Sequence, residues 1–366
     1  MTLIQSNKKA ASAADIQKLL DDTHAMEAPL GVPVLFLDER DFHTVDYNSP
    51  DAAQTIRNQF SKRLKNSSQF FQDAYKQMQD MYGPNYRHTL EYKSLQTLVT
   101  EVLKPDEEWN LAGMCMRVPH EKNKKGNAHS YNEHTFIDPL LSIIATHNNI
   151  ENHEDLPPPI ARGLNYFTTW HEIGHCVQAD ETQADTIASV MCRKALEDTS
   201  VVKIWADNNV LIHAALLNNP QYSSYKWDAI EAIDHISRLP LHQIDRMDQH
   251  HVKRLRFINF HSNKKAPSQT LKAILEKVDI EDPPLFSIKD VSKMAEASEY
   301  FLKKWQHKKG KAEYSILQRF HLAAHRQSKG KIIDAYRDDT LEDKMWGNGY
   351  RPHSLPTSLP EFLPAP

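Results

Sequence analysis

Five residues stand at a spacing that does chemistry on its own: His171-Glu172-Ile173-Gly174-His175. Residues four apart lie one above the other on a helix, so the two imidazoles can grip a single metal ion. Glu172 is turned about 100° from His171. From there its carboxylate reaches a water held on the ion without displacing the ligands. A metal lowers the pKa of such a water toward neutrality, and a carboxylate beside it then acts as general base while the water attacks a carbonyl. The ion that suits a pair of helix-borne histidines with an acidic third ligand is Zn2+.

Other histidines test the specificity of this reading, because the chain has 20 of them. His321 and His325 also stand four apart, but Leu322 occupies the place of the glutamate, so that pair can hold a metal and cannot act as base. His250-His251 and the Glu231/His235 pair are ligand types on helical stretches, read as ordinary helix residues. Cys176 follows His175 and points about 100° away from it, which makes it a small core residue rather than a thiolate ligand. Tyr222, Tyr225, His235 and His242 are candidates for a donor that steadies an oxyanion, with nothing to choose between them.

The stretch from His171 to Asp185, read with the helix before it, resembles the active-site region of the zincin metallopeptidases. In the branch whose third ligand is a glutamate, the gluzincins, a second helix carries Glu-x-x-x-Asp. Here Glu181-Thr182-Gln183-Ala184-Asp185 has that form. The resemblance implies Glu181 as third zinc ligand and Asp185 as acceptor for a histidine N–H. It covers residues 160–191, and the gap to the third ligand is unusually short for that branch. Six residues past the second histidine is instead the metzincin spacing, but Gln178 stands where that pattern has its glycine.

Glu181 can serve only if the helix stops. In an unbroken helix it would sit about 9 Å past His175 and rotated about 240°. The chain must therefore leave the helix near Gln178-Ala179 and restart with Asp180 as N-cap and Gln183 at the third helical position, a capping pair. Asp180 as a competing ligand is the other reading. Without a break, the third ligand would have to come from Glu231 or His235.

The elements that must position these residues are mostly helical. Glycine is scarce, at 10 residues, so tight-turned strands are few, and the expected class is a helix-rich α+β fold with a small sheet. Val34–Leu37 reads as a buried strand, Trp109–Val118 as a second, and Ser130–Ile137 as its neighbour across a charged turn at residues 121–127. Ala52–Tyr82 has helical periodicity, with shorter helices at residues 14–22 and 95–103. The run Pro157-Pro158-Pro159 opens the helix that carries the motif. Beyond Glu181 the pattern is helical nearly to Ala335, broken at Pro220, Pro240, Pro267 and Pro283-Pro284. The division expected is an α+β part over residues 1–200 with the metal site, a helical part over 201–345 as the other wall of a cleft, and a proline-rich tail over 346–366.

The net charge of −4 hides an asymmetry: about eighteen Lys/Arg face eight Asp/Glu between His250 and Lys331. Such a surface attracts acidic partners weakly and with strong salt dependence. The N-terminus has no apolar run behind Lys8 and Lys9, no stretch is long and apolar enough for a membrane span, and three cysteines fit a reducing compartment. The expected setting is cytoplasmic.

The function expected is a zinc metallopeptidase acting on a peptide or protein substrate, which could add to the sheet's edge as an extra strand. The alternative is a non-catalytic zinc-binding or polyanion-binding helical protein. Glu172 weighs against a purely structural zinc, which needs no base. The purified protein should carry about one tightly held zinc per chain; elemental analysis finding no bound transition metal, even after reconstitution, would end this reading.

Overall fold

A computed structural model describes residues 21, 31–38, 49–88, 90, 113–117, 142–146, 158–177, 180–196, 199–215, 225–247, 251–252, 271–272, 274–278, 288–309, 311–329 and 335–336. The expected helices at 14–22 (Asp21 apart) and 95–103, the strand at 130–137, the turn at 121–127 and the tail at 346–366 lie outside them. The chain divides into two compact units, one built on residues 12–149 with residues 175–178, the other on residues 150–174 and 179–366.

In the first unit, β1 (Val34–Asp38), β2 (Gly113–Arg117) and β3 (Ser142–Thr146) form a sheet in the order β1-β3-β2. β1 runs parallel to β3, with Phe36 opposite Ile144, and β2 runs antiparallel, with Cys115 opposite Ile144. Val34, Leu35 and Leu37 are each about 1% exposed and Phe36 between them 8%, so β1 is covered on both faces, as its unbroken apolar run requires. Helices α1 (Ala52–Lys65) and α2 (Gln69–Tyr82) follow β1. Their periodicity is continuous in sequence, yet the chain breaks between them because Ser68 caps α2, its hydroxyl accepting from Phe71 N–H at 3.0 Å. Phe60 and Phe71 are fully buried, and Gly83 ends α2 with φ +83°, a conformation that favours glycine.

The second unit is helical. Its elements are α3 (Pro158–Cys176, of which residues 175 and 176 fall in the first unit), α4 (Glu181–Ala195), α5 (Ser200–Ala215), α6 (Tyr225–Arg238), α7 (Leu241–Arg246), α8 (Ile288–Lys304), a 3₁₀ turn at Gln306–Lys308 and α9 (Ala312–Ser328). Pro240 ends one helix and caps the next, as expected. The break between α4 and α5 comes with no proline or glycine to announce it. Among the described residues no helix is long and apolar enough to cross a membrane.

Twelve of the fifteen residues of α4 are buried, so it is enclosed on all sides rather than lying on a surface. It packs chiefly against α6, and its last turn closes the ends of two neighbours. The Arg193 guanidinium donates to the carbonyls of Ile236, Ser237 and Leu239 at 2.8–3.1 Å, capping α6. The Lys194 ammonium reaches the carbonyls of Ile244, Asp245 and Met247, capping α7. Cations at helix C-termini satisfy orphan carbonyls and oppose the negative end of the dipole.

Between α5, α6, α8 and α9 lies an apolar core that includes Val210, Trp227, Ile230, Met294, Leu317 and Phe320. A buried ion network crosses three of these helices, α5, α6 and α9. Arg319 donates to both carboxylate oxygens of Asp234 at 2.6 and 3.0 Å and to Asp207 at 2.6 Å, while being 1% exposed. Arg326 lies 3.6 Å from the other Asp207 oxygen. Removing one partner of such a cluster strands the others without compensation. Arg319→Ala should therefore lower unfolding stability by about 3–5 kcal/mol, checked by urea or thermal denaturation; a loss below 1 kcal/mol would show the network to be dispensable.

Candidate metal centre

Helix α3 carries both histidines of the motif. Its residues Tyr166, Phe167 and Trp170 are buried, and Phe167 stacks on Trp205 of α5 with ring centroids 4.4 Å apart. Two glycines three turns apart let neighbouring helices approach. A Cβ on Gly163 would clash with the Val201 side chain, and one on Gly174 would stand 2.8 Å from the Ala184 Cα. Gly174 thus brings α4 against α3 between the two histidines, where only a residue without a side chain fits.

The helix ends at Cys176 and the next begins at Glu181, so the break that Glu181 needs is present. Asp180 is extended, with φ −74° and ψ 177°, and its carboxylate accepts from Gln183 N–H at 2.8 Å. The Gln183 side chain in turn accepts from Asp180 N–H at 3.1 Å. This is a full capping box, and it occupies Asp180 as a cap rather than as a ligand.

The restart brings three residues together. Ligand atoms of His171, His175 and Glu181 all lie within 4.8 Å of one another. His171 Nε2 is 3.3 Å from a Glu181 oxygen, and His171 Nδ1 is 2.8 Å from Asp185 Oδ1. Trp205 Nε1 also donates to that Asp185 oxygen, at 3.3 Å. Asp185 is 1% exposed, while the Glu181 side chain is 46% exposed and the His171 side chain 12%. Glu172, beside His171 on the helix, is 6% exposed.

Burial by itself would hold His171 neutral. Asp185, by charge and hydrogen bond, then Glu181 and Glu172, outweigh it and raise the imidazole's pKa to about 10. The surroundings of His171 thus favour a positive charge, which a divalent cation among the same carboxylates satisfies as a proton does.

The alternative ligands do not join this group. Glu231 accepts from Trp227 Nε1 at 3.1 Å on α6. Burial, with Arg238 nearby, lowers the His235 pKa to about 4. The Cys176 thiol is buried and is not part of this group. Of the oxyanion candidates, Tyr222 lies outside the described residues and His242 is exposed on α7. Two contributors carry no motif in the sequence. Trp205 is one, recognisable only once α5 packs on α3. Gly174 is the other, and its place in the interior of a helix is the signal that it matters.

Comparison with protein-family models, with curated proteins and with solved structures found no match to this chain.

Glu181→Ala should weaken zinc binding by more than the 10- to 100-fold typical of an outer-shell partner, while Glu231→Ala and His235→Ala leave it unchanged. Competition of each variant against a fluorescent chelator decides this, and wild-type affinity in Glu181→Ala would remove that residue from the ligand set while leaving the histidines in it.

Proposed function

We propose that the chain is a zinc-dependent hydrolase of zincin type, and specifically a metallopeptidase. The observation that carries the reading is the convergence of His171, His175 and Glu181 next to a buried glutamate on the same helix. Two imidazoles and one carboxylate are a donor set that would suit zinc. The Asp185 contact adds to the fit: it engages Nδ1 of His171, so that Nε2, which faces Glu181, is the nitrogen that would meet an ion in place of its proton.

Each residue then has one task. His171, His175 and Glu181 would hold the ion. Asp185, held by the Trp205 N–H, fixes the tautomer and orientation of His171 and raises its strength as a ligand. When bound, zinc supplies Lewis acidity, lowering the pKa of a water toward 7 and polarising the substrate carbonyl. Glu172 takes the proton of the attacking water and returns it to the leaving nitrogen. A purely structural zinc would give no use to a buried acid at this place.

Glu172→Gln should keep its zinc and lose peptide hydrolysis by on the order of 10²-fold or more. The measurement is cleavage of those members of a quenched fluorescent peptide library that the wild type cuts, with zinc content assayed on the same sample. Undiminished cleavage by the variant would refute the role given to Glu172.

A further inference from the structure

A second group of metal-ligand side chains lies on α9, away from the motif and with no part in the hydrolase reading. His321 and His325 are both half-buried, and their rings lie 5.7 Å apart at an interplanar angle of 32°. Two imidazoles that share one tetrahedral ion at about 2.0–2.1 Å from nitrogen have centroids roughly 5 Å apart, so a small rotation of one ring closes the grip. Spacing alone is common on helices; what distinguishes this pair is how one ring is held.

Ser298 of α8 is fully buried, and its hydroxyl donates to the Ala295 carbonyl at 2.8 Å. The same oxygen lies 2.9 Å from His321 Nδ1. Since the hydroxyl's one hydrogen goes to Ala295, the serine oxygen is the acceptor here and His321 Nδ1 is the donor. That leaves the lone pair on Nε2. A buried oxygen holding one ring nitrogen so that the other can ligate is the arrangement that orients histidine ligands in metal sites.

We infer that His321 and His325, with Ser298 of α8 orienting the first, form a second site for a divalent transition ion, Zn2+, Ni2+ or Cu2+, at the contact of α8 with α9. Imidazole donors exclude Mg2+ and Ca2+ as its occupants. The leucine at position 322 leaves the site without a base, so its effect is on stability: an ion bound to the folded state alone raises the melting temperature by mass action.

The test uses the full-length chain stripped with a chelator and titrated with Ni2+ by calorimetry, with melting curves in its presence and absence. Two classes of binding are expected. His325→Ala, and His325→Gln as the variant closer in polarity, should weaken one class at least about tenfold and cancel its contribution to the Ni2+-induced rise in melting temperature. Both should melt like the wild type without metal, because His325 is partly exposed. Ser298→Ala should weaken the same class by about tenfold without removing a ligand. His171→Ala should affect the other class only, which separates the two sites and lets either fail alone. Retention of both classes in the His325 variants, or a single class abolished by His171→Ala, would overturn the second site.

Discussion

The site depends on one interruption in the helical course of the chain. Had α3 run on through Asp185, Glu181 would stand about 9 Å beyond His175 on the wrong side of the helix. Instead α3 stops at Cys176, and the capping box of Asp180 and Gln183 starts α4 afresh. No proline or glycine enforces the stop. Two side chains satisfy the backbone N–H groups that a new helix start exposes, an effect of about 0.5–2 kcal/mol. The gain is geometric: one carboxylate of α4 arrives 3.3 Å from Nε2 of His171 and another 2.8 Å from its Nδ1.

A restart without support would let α4 drift, and the rest of the second unit prevents that. Ala184 packs at backbone distance on Gly174, which sets the separation of the two site helices. The far end of α4 is held through Arg193 and Lys194, which close the C-termini of α6 and α7. α5 adds Trp205, stacked on Phe167 and bonded to Asp185, so three helices meet at one buried carboxylate. The Arg319 network then joins α5, α6 and α9 behind them. A site of this kind works only if its ligands are fixed by neighbours that are themselves fixed.

The two histidine pairs show how environment separates similar spacings. Around His171 three carboxylates outweigh burial, and positive charge is favoured. Around His321 and His325 burial comes first and holds both rings below the ordinary histidine value, with mutual repulsion adding to the effect at His321. The first pair has a buried glutamate beside it and an acid at each nitrogen of His171. The second has a leucine in place of the base and a serine oxygen behind one ring. The same i, i+4 geometry thus serves proposed catalysis in one place and a proposed clamp in the other.

Much of the local structure was legible from the residues. The i, i+4 histidines, the proline-led start of α3, the apolar run of β1 and the Asp180–Gln183 cap are short-range features whose physics acts within a turn or two of chain. The sequence also determined that the third ligand question turned on a helix break, because rise and rotation per residue are constants of the helix. It left the outcome between Glu181 and the pair Glu231/His235 open, since a cap preference of about 1 kcal/mol is easily overridden by packing. It placed no strand at Ser142–Thr146 and no break at Ser67-Ser68, because short apolar runs and continuous periodicity do not say where backbone pairing or capping will win. Tertiary structure decided the strand at Ser142–Thr146, the break at Ser67-Ser68 and the break after Cys176. It also decided that Asp185 is shared by His171 and Trp205, that Gly174 admits Ala184, and that Ser298 stands behind His321. Each of these joins residues of different helices, and a pattern read along one helix carries no information about what packs across it.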